Sequence, residues 1–175
     1  MRTLGISIVL ALIAAVVVTA RQPASMPQAP TAQMGTAPMK TFSSAADVQA
    51  LLAKAKSERK EGQVMVSEPI LSLSPYATNL EYRPVEGAVA VHEKEAELVF
   101  VIEGAGSLIT GGTVVGEKRT NDANLSGTAI DGGTIQTLGK GDFTIIPEGT
   151  PHQFKPAGGP LVLMTQHVPR PVGAQ

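Results

Sequence analysis

The chain has 175 residues, a formal net charge of −1, 43% hydrophobic residues and no cysteine. That length fits one domain with some tail to spare, and the apolar content is enough for a core. Near-neutral charge without a block of basic residues excludes the positive face a nucleic-acid binder needs, and the missing cysteine excludes disulfides and a lipobox anchor.

In chain order, Arg2 precedes a run from Leu4 to Ala20 that is apolar apart from Gly5, Ser7 and Thr19 and ends in the small residues Val18-Thr19-Ala20. This predicts a secretory signal peptide over residues 1–20, with an uncleaved membrane anchor as the alternative. The expected location is therefore periplasmic or secreted. Residues 21–40, "RQPASMPQAPTAQMGTAPMK", have no apolar periodicity, and their Pro-, Ala- and Gln-rich composition predicts a disordered linker. A helix is predicted over 44–60. Ser44 and Asp47 resemble a capping box, Val48, Leu51, Leu52 and Ala55 share one face, and Gly62 offers a terminator. Lys56, Arg59 and Lys60 read as its solvated end.

From Gln63 to about residue 169, glycines and prolines cut the chain into short apolar pieces: Ile70–Leu73, Leu80–Tyr82, Ala88–Val91, Leu98–Ile102, Ser107–Ile109, Thr134–Leu138, Phe143–Ile146 and Leu161–Val168. Many short strands with frequent turns predict an all-β sandwich or barrel. The polar segment 115–133 reads as a long loop, either functional or a harmless insertion. Its Asn124-Leu125-Ser126 triplet matches a glycosylation acceptor, a pattern too short to carry weight.

Two stretches carry the candidate chemistry. "AVAVHEKEAELVFVI" reads as a hairpin with arms Ala88–His92 and Glu97–Ile102, which would make His92 and Glu97 cross-strand neighbours. Alternation puts Ala90, His92, Glu97, Val99 and Val101 on one face and Val89, Val91, Leu98, Phe100 and Ile102 on the other. Strands apolar on both faces are covered twice, by the barrel interior and by another element or subunit. In "GDFTIIPEGTPHQF" a strand over Phe143–Ile146 leads through a Pro/Gly turn to His152, with Phe154 on the same face.

With these residues the chain resembles the cupins. It reads Ala90-X-His92-(X)4-Glu97-(X)6-Gly104, and then Gly141-(X)5-Pro147-X-Gly149-(X)2-His152-(X)3-Pro156. Ala90 stands where the first motif has its first histidine, and Pro156 where the second has asparagine. The resemblance implies a jelly-roll (double-stranded β-helix) barrel preceded by a short helix, forming a single cupin domain over residues 41–175. It also implies that His92, Glu97 and His152 converge on one divalent metal (Fe, Mn, Zn or Ni). Two histidines and a carboxylate leave coordination positions open for oxygen chemistry or a bound water. Ala90, Val99, Val101, Phe154 and Arg83 would line a pocket for a small polar ligand. His167 could replace the missing ligand, act as a catalytic acid or base, or be hydrogen-bonded near its strand end.

Three functions follow as expectations: a metal-dependent enzyme of oxygenase or lyase/isomerase type, a non-catalytic ligand-binding module, or a structural envelope protein. Under each, the apolar strand faces predict a homodimer. Neither nucleic acid nor a membrane beyond the signal peptide is an expected partner.

Overall fold

A computed structural model describes residues 38–170. The expected signal peptide and residues 21–37 of the expected linker lie outside the described residues. Among the described residues no helix is long and apolar enough to cross a membrane.

The helix α1 spans Ala45–Glu58. The Ser44 side chain accepts from the Asp47 amide at 3.2 Å, and the Asp47 carboxylate accepts from the Ser44 amide at 2.8 Å. Aspartate thus completes the reciprocal cap where glutamate is usual. The helix ends on Arg59 in an extended conformation, and Gly62 lies in the turn beyond rather than at the cap. Leu52 and Ala55 are buried with Val48 and Leu51 against Val66, Ile70, Leu80 and Val162. Burying a side chain such as Leu52 contributes roughly 1.5–3 kcal/mol. Lys54 reaches Glu68 at 2.8 Å across the same contact.

The strands are β1 (Val66–Leu73), β2 (Tyr76–Arg83), β3 (Val89–His92), β4 (Glu95–Glu103), β5 (Ala105–Thr110), β6 (Thr113–Val115), β7 (Lys118–Asn121), β8 (Asn124–Gly127), β9 (Ala129–Asp131), β10 (Thr134–Gly139), β11 (Phe143–Ile146), β12 (His152–Pro156) and β13 (Leu161–Pro169). They form two antiparallel sheets, ordered β1-β2-β13-β4-β11 and β10-β5-β12-β3-β8-β7, plus a ribbon β6-β9. This is the expected all-β jelly-roll barrel. Its interior packs Val99, Val101, Leu108, Leu138, Ile146, Phe154, Leu161 and Leu163, drawn from both sheets.

Two expectations need correction. The Ala88–Ile102 stretch is not a hairpin: β3 pairs with β8 and β12, whereas β4 pairs with β13 and β11 in the opposite sheet. β4 finds partners in β13 from Glu95 to Glu103, a far longer ladder than the four residues of β3 could provide, so the chain crosses between sheets at Glu93-Lys94. The 115–133 segment is not a loop either. It forms β7, β8 and β9, and its polarity reflects solvated faces, with Lys118–Asn121 exposed throughout. Asn121 accepts from the Ala123 amide at 2.9 Å, which closes the β7–β8 turn. The ribbon lies against Gly127, where a Cβ would meet Val114 Cγ1 at 2.2 Å; only glycine allows so close an approach.

β1 also begins earlier than the apolar run Ile70–Leu73 implied. Pro69 sits inside it, tolerated because β1 is an edge strand that bulges between Pro69 and Leu71.

Candidate metal centre

Period-2 alternation places the site. β4 turns Glu97, Val99 and Val101 inward, and β13 turns Leu161, Leu163, Thr165 and His167 inward. From the facing sheet, β3 contributes His92 and Ala90, and β12 contributes His152 and Phe154. The sequence pairing of His92 with Glu97 therefore holds in space for a different reason: they meet across the barrel, not along a ladder.

Glu97 Oε2 lies 2.9 Å from His152 Nε2 and 3.6 Å from His92 Nε2. Donor atoms of His92, Glu97 and His152 all fall within 4.8 Å of one another. Glu97 and His152 are each only 3% exposed. Each imidazole is held from behind. His92 Nδ1 contacts Asn124 Oδ1 at 2.7 Å, and His152 Nδ1 contacts the Thr150 carbonyl at 3.1 Å. Those oxygens accept, which favours the proton on Nδ1 and turns each Nε2 inward, toward Glu97. Buried Glu97 Oε2 has no hydrogen-bond partner, although His152 Nε2 is close by. At 2.9 Å, His152 Nε2 and Glu97 Oε2 are placed to share either a proton or a cation. The trio thus fits a divalent metal, with its outer hydrogen bonds fixing tautomer and ring orientation as such sites do.

Burial pushes the His92 imidazole below its ordinary value; His167 and His152 add to that, while Asn124 and Glu97 oppose it. Burial alone would push the Glu97 carboxyl up, but His152 contact and the charges of His152, His92 and His167 together hold it below the usual range. The sign for His92 is clear. The unfolded chain protonates it near about 6.5, whereas the folded barrel resists until lower pH, so unfolding takes up a proton. Metal-free protein is therefore expected to lose stability as pH falls below about 6.5. Urea midpoints of chelator-treated protein at neutral and mildly acidic pH check this, and the dependence should flatten in His92→Gln.

The remaining predicted residues are placed as follows. His167 faces inward at the barrel end. Its Nδ1 lies 3.0 Å from Glu95 Oε2 and its ring edge-on to His92, centroids 4.3 Å apart, outside the close trio of donors. Val99, Val101 and Phe154 are buried in the wall. Arg83 stacks over Phe154 at 4.8 Å and is bound to Glu81 at 2.6 Å, so a neighbouring carboxylate already balances its charge. Thr165 donates to the other Glu81 oxygen at 3.2 Å. Asn124 is the site residue that sequence reading passed over; the NDAN turn between short polar runs was the signal for the β7–β8 hairpin that carries it. Asn124→Ala is expected to weaken metal binding by roughly 10–100-fold with the fold intact, read by competition with a chelating dye.

Two antiparallel sheets closed around an inward His–Glu–His trio define a jelly-roll barrel with a candidate metal centre. No known protein family and no curated protein matches the chain in sequence. Solved structures similar to it include cupin domains. The Cnp3 cupin domain of Schizosaccharomyces pombe is 13% identical, over 66% of this chain and 72% of that one, with a TM-score of 0.47. A cupin-2 domain protein of Rhodospirillum rubrum is 14% identical, over 63% and 65%, with a TM-score of 0.45. Iron(II) HppE is 16% identical, over 62% of this chain and 53% of its own, with a TM-score of 0.46.

Proposed function

We propose that the protein is an exported, metal-dependent cupin that acts on a small polar organic molecule. The observation that carries this reading is the buried Glu97 Oε2, without a hydrogen-bond partner and with His152 Nε2 and His92 Nε2 at 2.9 and 3.6 Å. An ion held by His92, Glu97 and His152 would supply Lewis acidity or a site for oxygen chemistry, with positions left open for a ligand. The chain's own residues do the rest. Val99, Val101 and Phe154 keep the inner wall dry, and Ala90 stands opposite His152 in the β3–β12 ladder. Glu95 fixes the orientation of the His167 ring at the barrel end.

The test is elemental analysis of untagged protein purified without chelator. Near-stoichiometric metal directs oxygen-uptake or lyase assays with the metal found. Folded protein that stays metal-free after reconstitution removes the enzymatic reading. Ala90 favours a second reading, a non-catalytic binding module that kept the barrel and reduced its ligand set. Metal-loaded protein that binds a small acid or sugar without turning it over would select that one.

Export rests on residues 1–20, and N-terminal sequencing of secreted material starting near Arg21 would bear it out. The homodimer rests on the outer face of β4 and β11. Phe143 and Ile145 are 64% and 60% exposed there, beside half-buried Phe100 and Leu98. Ile102, on the same face of β4 as Leu98 and Phe100, packs instead with the cluster under α1. Phe143→Glu with Ile145→Glu is expected to convert a dimer to monomer in sedimentation velocity; a wild type already monomeric at high concentration refutes the proposal.

A further inference from the structure

We infer that His167 is a fourth protein ligand of the same ion, taking the role of the imidazole that Ala90 lacks. This rests on the metal reading above and extends it. Three observations point the same way.

The first is register. His167 stands directly opposite Glu97 in the β13–β4 ladder, and both turn inward. The second is proximity. The His167 ring lies closer to His92, at 4.3 Å between centroids, than His152 does, at 5.2 Å. The third is the way the ring is anchored. The chain has three histidines, and each is held at Nδ1 by an oxygen: Asn124 Oδ1, the Thr150 carbonyl and Glu95 Oε2. Glu95 Oε2 engages His167 at Nδ1, which leaves Nε2 as the nitrogen for a metal. This back-side hydrogen bond is the usual mark of a metal-binding histidine. Glu95 opens β4, immediately after the crossing from β3, and pairs with Pro169 of β13.

The four donors would then divide evenly, His92 and His152 from one sheet and Glu97 and His167 from the other. His167 reaches the ion by turning its side chain. That side chain and its Glu95 partner are 32% and 38% exposed and have room to follow. The lost ligand is thus replaced from β13, across the barrel, rather than from β3.

The experiment loads untagged full-length protein with one equivalent of Cu(II) and counts coordinated imidazoles by pulsed EPR. Three are expected in the wild type. His167→Ala should show two and bind Zn(II) on the order of a hundredfold more weakly. Glu95→Gln should keep three and lose about tenfold in affinity. Wild-type protein that binds one equivalent through only two imidazoles overturns the assignment of His167 and leaves the trio standing. Wild-type protein that binds neither Cu(II) nor Zn(II) overturns the metal reading and this inference together. The wild-type count needs no variant, so misfolding of His167→Ala would not shield the inference.

Discussion

Glu97→Gln should empty the barrel of divalent metal and, in the metal-free state, make it less stable. The two effects run in the same direction because the imidazoles that would share an ion with Glu97 also favour its ionised carboxyl in the folded chain. Four-ligand zinc sites bind with apparent energies of ~10–16 kcal/mol, so one ligand contributes roughly 3 kcal/mol, on the order of a hundredfold in affinity. Removing the only anionic member of the trio should cost at least that. Without metal, Glu97 is a buried carboxylate; against the cost of burial, the two imidazoles close to it hold its carboxyl below the usual range. A neutral amide forfeits that attraction. Denaturant midpoints of chelator-treated wild type and Glu97→Gln give the stability change, and isothermal titration gives the affinity. His152→Ala should likewise lose metal and stability, and it also leaves a void beside Phe154. A Glu97→Gln protein that binds metal as tightly as wild type would remove the carboxylate from the ligand set.

Gly104→Ala is the second large effect, and it falls on stability alone. Gly104 joins β4 to β5 as the chain passes from one sheet to the other, at φ +87°. A Cβ there would lie 2.1 Å from the Pro160 carbonyl oxygen and 3.2 Å from Leu161 Cα. These are backbone atoms at the start of β13, a strand paired on both sides, and they cannot move aside cheaply. The unfavourable φ adds ~1–2 kcal/mol for any L side chain. A total loss of about 3–5 kcal/mol is expected, enough to unfold a marginal domain. Gly62→Ala is the control, with a similar φ of +76° but nothing within 4 Å of its added Cβ. It should lose only the conformational share. Equal losses at the two positions would show that the contact with Pro160 is not rigid.

These two residues also mark how far the sequence could be read. Gly104 ends the first motif because the sheet-to-sheet passage needs a residue without a side chain, and spacing preserved that signal. His92, Glu97 and His152 were legible for the same reason. Alternation could orient the strands but not pair them, since it gives the same inward set for a hairpin and for strands on opposite sheets. The β3–β4 hairpin was therefore a reasonable reading that the longer β4–β13 ladder overrules. Asn124 was harder. Its strand is short and polar, it lies 32 residues beyond the histidine it holds, and hydrophobic periodicity has no purchase there. Glu95 was hidden by its neighbours, because an acid in a run of acids reads as solvated until the fold brings β13 beside it.

The division of donors between the sheets has a consequence for kinetics. An ion held by His92 and His152 on one side and Glu97 on the other would rivet the two layers together. Parting the sheets would then require breaking metal–ligand bonds, and releasing the ion would require the sheets to loosen. Exchange of bound metal should accordingly follow the rhythm of barrel opening rather than that of simple diffusion, slow when cold and steeply faster on warming. In such a molecule the lifetime of the ion would serve as a clock for the integrity of the fold.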